Sequence, residues 1–183
     1  MLSAAGIEAR IVAPDFDERA LDSLFGTIEP GELAVRLATG KARSVAAVIE
    51  PGELVLAADQ LAVLGERMLT KPADLAAAVE QLAAMSGTTH ELINGLVVWN
   101  AATDTWATAI DIHRVTMRDF TGAEAAAYVE RFEPLDSVGG YRIEDDADLI
   151  ASVEGSGDDG VMGLPITVVR RLLESVAGDG DRL

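Results

Sequence analysis

The sequence predicts an α/β fold in a single domain, with part of its sheet antiparallel. Three observations point there: an apolar run from Leu54 to Leu64, helical spacing of apolar residues on either side of it, and an alternating stretch from Ala107 to Phe120. With 183 residues, 49% hydrophobic and only 4% aromatic, the chain can build one sizeable core, or two lobes sharing a sheet, packed mostly with Leu, Val, Ile and Ala.

Taken in order, Ala9 to Ala13 suggests a short strand, interrupted by Pro14 and the acidic residues Asp15, Asp17 and Glu18. Pro30 and Gly31 open a helix on which Leu33, Leu37, Val45 and Val48 form an apolar stripe, weakened at Gly40. Pro51 and Gly52 turn the chain into the run Leu54 to Leu64, the strongest strand candidate, with the polar pair Asp59 and Gln60 breaking it. Leu75, Val79 and Leu82 give the next helix, which Gly87 stops. His90 to Asn100 reads as a strand, Asp104 and Thr105 as a hairpin bend, and Ile110, Ile112, Val115 and Met117 as the apolar residues of the following strand. Thr121 and Glu124 make a capping box for a helix over Ala125 to Val129. A Gly- and Asp-rich loop follows. Leu164 to Leu173, with Pro165 in its first turn, reads as the last helix, and the final residues read as a frayed tail.

Composition removes several function classes. There is no cysteine, so disulfides, thiol chemistry and thiolate metal ligation are excluded. The net charge of −17 repels nucleic acid phosphates at long range. It leaves room for a small anion in a locally basic pocket. No signal-peptide core and no bilayer-spanning apolar run is present, so the sequence predicts a soluble cytoplasmic protein with no membrane partner. No P-loop, dinucleotide fingerprint, HExxH helix or GxSxG elbow occurs.

The candidate chemistry is oxygen- and lysine-based. Asp59, at the break in an apolar strand, could activate water, hold a divalent ion or cap a loop. Gln60 could read a base edge or satisfy the backbone. Lys71 stands extended before Pro72 and suits either phosphate or a surface ion pair. Asp17 and Glu18 suit magnesium or manganese, or form a solvated turn. In an extended segment Arg142 and Glu144 would share one side. His90 and His113 read as structural, and Trp99 and Trp106 as a cross-strand pair flanking Asp104.

The stretches APDFDE, LAVRLATGKARSVAA, LVLAADQLAVLGERMLTKP, AAVEQLAAMSGTTHELINGLVVW, TMRDFTGAEAAAYV, SVGGYRIE and VEGSGDDGVMGLP, in that order, resemble the Maf family of nucleoside triphosphate pyrophosphatases. The ADQ at 58–60 resembles the 7-methyl-GTP branch of that family. The resemblance implies a two-lobed Maf-like/ITPase-like fold with a mixed twisted sheet around a central cleft. It implies a metal-dependent hydrolase that turns a nucleoside triphosphate into monophosphate and pyrophosphate, with Mg or Mn as cofactor and a homodimer as an assembly. It casts Asp59 as general base or metal ligand, Glu18 as metal ligand and Lys71 as a catalytic phosphate contact. Lys41, Gln60, Arg142 and Glu144 become substrate-binding residues. Two departures stand out. The family's opening strand and its serine- and arginine-bearing loop find no match, so residues 1–183 are expected to be an N-terminally incomplete single domain. EGSGDDGVMGLP also differs from the family's EGDYxxVxGLP. Together these raise an alternative, a catalytically inactive nucleotide-binding or protein-interaction module.

Overall fold

A computed structural model describes residues 1–145 and 148–177. The helices are α1 (Pro30–Ser44), α2 (Leu75–Met85), α3 (Gly122–Phe132), α4 (Asp158–Val161) and α5 (Ile166–Ala177). The strands are β1 (Leu54–Leu64), β2 (Arg67–Leu69), β3 (Thr89–Asn100), β4 (Thr105–Met117) and β5 (Ile150–Glu154), in one open sheet ordered β2-β1-β3-β4-β5. The α/β class is therefore as expected. Where the register is defined, at β1–β2 (Ala62 opposite Leu69) and β4–β5 (Val115 opposite Val153), the pairing is antiparallel.

The chain divides into two compact units, each discontinuous in sequence: 1–60, 93–111 and 156–183, and then 61–92 with 112–155. In the first unit, alternate residues of β1 serve two different layers. Val55 and Ala57 join Val97 of β3 against Ala38 and Ala42 of α1. Leu54, Leu56 and Ala58 join Leu96 and Val98 against Val168, Val169, Leu172 and Val176 of α5. Gly95 allows the first layer: a Cβ there would overlap the backbone of Ala34, so α1 lies against β3 at backbone distance.

In the second unit α2 packs on α3. Asp74 caps α2 through the amide of Ala77 at 2.8 Å, and the Thr121–Glu124 capping box starts α3 as the sequence predicts. His90 is buried, with Nε2 2.8 Å from the Tyr141 hydroxyl, and His113 is buried in β4. Both histidines sit in strands, as expected for structural residues. Burial pushes the pKa of His90 down to about 4.

Several expectations change. Residues 9–13 form no strand: they carry no ladder, and Ile11 is 97% exposed. β1 does not break at Asp59 but runs through it to Leu64. The expected loop after α3 contains β5 and α4. The apolar residues of β4 change parity, leaving Ile110 and Ile112 about half exposed while Val115 and Met117 are buried. The expected tail from Gly178 onward lies outside the described residues, as does Asp146.

Candidate functional site

Three residues far apart in sequence meet in the first unit, and packing explains why. The ring of Phe16 lies where a Cβ of Gly40 would be, so the glycine that weakens α1 as a helix former lets the 14–17 segment rest on it. Asp17 then accepts from the amide of Arg19 at 3.1 Å and caps a short 3-10 helix, Glu18–Leu24. Glu18, at its first position, reaches Lys41 of α1, with Oε1 to Nζ at 2.9 Å. On its other side Lys41 donates to Oδ1 of Asp59, on the β1 face that α1 covers.

The surroundings are graded. The Asp59 side chain is 8% exposed, Lys41 20% and Glu18 54%. Burial opposes the charge on Lys41, but the hydrogen bonds to Asp59 and Glu18 outweigh it and raise its pKa. Lys41 therefore stays an ammonium ion at every physiological pH. It also lines a cavity of about 560 Å³ walled by Val12, Pro14, Val45, Ile49 and Leu56, a volume in the range of small-molecule pockets.

Gln60, next to Asp59, points to the opposite face of β1. Its Nε2 donates to Asn94 Oδ1 at 2.9 Å and to the carbonyl of Val161 at 3.0 Å. The donor group that would read a base edge is thus engaged within the protein.

The remaining candidates belong to the second unit. Lys71 is exposed between β2 and α2, and among the described residues it has no ion-pair partner. Arg142 donates to the carbonyl of Phe132 at 2.6 Å and pairs with Asp145 at 3.3 Å and Asp136 at 3.4 Å. Tyr128 donates to Asp145 at 2.5 Å and accepts from the Arg142 amide at 2.9 Å. Burial, then the Asp145 carboxylate, pushes the Tyr128 hydroxyl pKa up and keeps it a donor. Ile143–Asp145 is a 3-10 turn, so the shared side expected for Arg142 and Glu144 in an extended segment is lost, and Arg142 turns to Asp145 instead. Glu144 is exposed.

Sequence reading missed Phe16, Asn94 and Asp111. Asn94 is the one with a visible signal: a fully polar amide inside the apolar run LINGLVV.

Asp59 and Glu18 converge on one point, the Lys41 ammonium, but no group of three or more His, Asp or Glu that could hold a metal occurs among the described residues. Two carboxylates do not make a stand-alone metal centre. As oxygen donors they are of the type that magnesium or manganese takes, within a larger donor set.

Comparison with known proteins identifies the family. The family described as Maf-like protein matches residues 1–176. A dTTP/UTP pyrophosphatase of Alkalilimnicola ehrlichii is 36% identical over 54% of the chain and 48% of its own length. A 7-methyl-GTP pyrophosphatase of Syntrophotalea carbinolica is 33% identical over 91% of the chain and 83% of its own length. A dTTP/UTP pyrophosphatase of Geotalea uraniireducens is 34% identical over 92% of the chain and 84% of its own length. The chain spans about half the length of the first of these relatives. Relatives named for either substrate match over similar lengths, so similarity alone does not separate the two branches.

Proposed function

We propose, from the fact that the chain belongs to the Maf-like protein family, that it is a nucleoside triphosphate pyrophosphatase, with 1–183 acting as one domain. The observation that carries this reading is Lys41, charged and largely buried, held between Asp59 and Glu18 at the wall of a cavity. In the reaction a water oxygen bonds to the α-phosphorus. The bond from that phosphorus to the α,β-bridging oxygen breaks, and the electron pair leaves with pyrophosphate. The water proton passes to Asp59, a buried carboxylate and the general base of this scheme. Lys41 faces the negative charge that builds on the phosphate oxygens, in a poorly solvated position where such an interaction is strong. Asp59 and Glu18 would hold a magnesium or manganese ion, whose chemistry is to neutralise phosphate charge and polarise the phosphorus. Lys71 and Glu144 are further substrate contacts in this reading, as the family resemblance implies, whereas Arg142 is taken up by Phe132, Asp145 and Asp136 and closes its own turn.

The finer part is base choice. The Ala58-Asp59-Gln60 stretch, which resembles the 7-methyl-GTP branch, supports a preference for guanine-type triphosphates. The test supplies 7-methyl-GTP, GTP, dTTP and UTP with magnesium or manganese. Monophosphate and pyrophosphate should appear in equal amounts, fastest with a guanine-type base. Nucleotide binding with no turnover, or release of inorganic phosphate alone, would overturn the reaction. A higher kcat/KM for dTTP or UTP would overturn the base preference only.

A further inference from the structure

The β1 face opposite Asp59 carries a polar network that takes no part in the proposed hydrolytic step. Its centre is Asn94 of β3, fully buried. Its Nδ2 donates to the carbonyl of Gly160 at 2.7 Å and to Asp111 Oδ2 of β4 at 3.3 Å. Its Oδ1 accepts from Gln60 Nε2 at 2.9 Å. Gln60 also donates to the Val161 carbonyl, and Ser156 donates to Asp111 Oδ1 at 2.8 Å. Asp159 closes the segment by accepting from the Gly160 amide at 3.0 Å and the Ile166 amide at 2.7 Å, at the start of α5.

The direction of this network is fixed by groups that cannot reverse. A backbone carbonyl and a carboxylate only accept, so Asn94 must turn its NH₂ toward Gly160 and Asp111. Its oxygen then faces Gln60, which must present its own NH₂. Threonine in place of Asn94 would supply one donor where the site needs two donor directions and an acceptor. Aspartate would put a second carboxylate against Asp111 and a lone pair against Gly160. Three strands and the 156–163 segment are therefore joined through one buried amide, where a lost partner is expensive.

We infer that Asn94 is a positioning residue: through Gln60 it couples the 156–163 segment to the β1 backbone that carries Asp59. Gln60 and Asp59 share a peptide bond, so the clasp on one face of β1 fixes the direction of the carboxylate on the other. The consequence for turnover rests on the pyrophosphatase reading, while the coupling itself does not.

Hydrogen exchange on the full chain tests the coupling with Asn94→Thr, Gln60→Met and the double variant. In both single variants the amides of Met162, Gly163 and Leu164 should exchange about tenfold faster, and so should those of Ala58 to Gln60. The double variant should add little, because each change breaks the same clasp. Faster exchange in 162–164 with β1 unchanged, or fully additive effects, would overturn the inference. Gln60→Met keeps side-chain volume, so it decides the matter even where Asn94→Thr does not fold. In the turnover arm, kcat should fall about tenfold in Asn94→Thr with KM unchanged. Lower thermal stability with kcat intact would mean that Asn94 is structural only. Absence of turnover in the unaltered protein would sink the pyrophosphatase reading and leave the exchange result standing.

Discussion

Two basic residues in this molecule are each held by two carboxylates, and they differ in where those carboxylates come from. Arg142 is tied to Asp145 three residues ahead, to Asp136 six residues back and to the Phe132 carbonyl at the end of α3. Its partners are local, and its planar fork is filled by protein groups, a backbone carbonyl among them. Lys41 is tied to Glu18 and Asp59, which reach it from a 3-10 helix and from the middle of a strand. Bringing those three together requires Phe16 on Gly40 and Ala34 on Gly95. A cation whose partners are costly to assemble, and which also lines a cavity, is the one that the proposed function assigns to a ligand. A cation that closes its own turn is organised for the fold.

The sharpest way to break that contrast is Asp59→Asn. The amide cannot take a proton from water, and turnover should fall by about 10²- to 10⁴-fold with the substrate preference of the remaining activity unchanged. Pyrophosphate release under saturating triphosphate measures it, with circular dichroism confirming the fold. Lys41 keeps Glu18 as a partner in this variant, so an ammonium remains at the site. Undiminished turnover would remove Asp59 from the chemistry.

Much of this contrast was hidden from the sequence. The extent of β1, the capping box of α3 and the Trp99–Trp106 pair, stacked at 4.7 Å, follow from local rules that act over a few residues. β5 escaped because IASVE is short and mostly exposed, so burial leaves no alternation to read. The 9–13 segment has strand-like residues but no ladder to join, and propensity without a partner does not make a strand. At the site, Asp59, Lys41 and Glu18 were legible as residues through the family resemblance. That they touch was not, since it depends on a ring resting on a glycine. Gln60 shows the same limit: its sequence neighbour is Asp59, but a strand sends neighbours to opposite faces.

The second prediction concerns acid, and it sharpens the view that buried polar groups of the second unit serve the fold. His90 holds its proton with a pKa of about 4 in the fold, against an ordinary 6.5 in the unfolded chain. Between these values the unfolded chain binds more protons, so stability is complete above about pH 6.5 and falls as the pH drops toward 4. The full shift corresponds to about 3 kcal/mol as an upper bound. His90→Gln should flatten the decline in denaturant midpoint between pH 6.5 and 4 while lowering the midpoint at neutral pH, because Tyr141 loses part of its contact. An equally steep decline in the variant would assign the acid sensitivity to other groups.

The smallest expected effect is the most direct test of the comparison itself. Arg142→Gln keeps a planar donor of shorter reach and removes the positive charge. If Arg142 works for the fold, the variant should melt at a lower temperature, because the Phe132 carbonyl and Asp145 lose their charged partner. Tyr128 still donates to Asp145, which limits the loss. Its kcat/KM on the preferred triphosphate should stay within about twofold, well inside what loss of a charged phosphate contact would cost. The salt dependence of KM separates the readings further. A lost phosphate contact raises KM and weakens its response to ionic strength, whereas a loosened turn leaves both unchanged. A large rise in KM at unchanged melting temperature would make Arg142 a second ligand-directed cation and erase the distinction from Lys41.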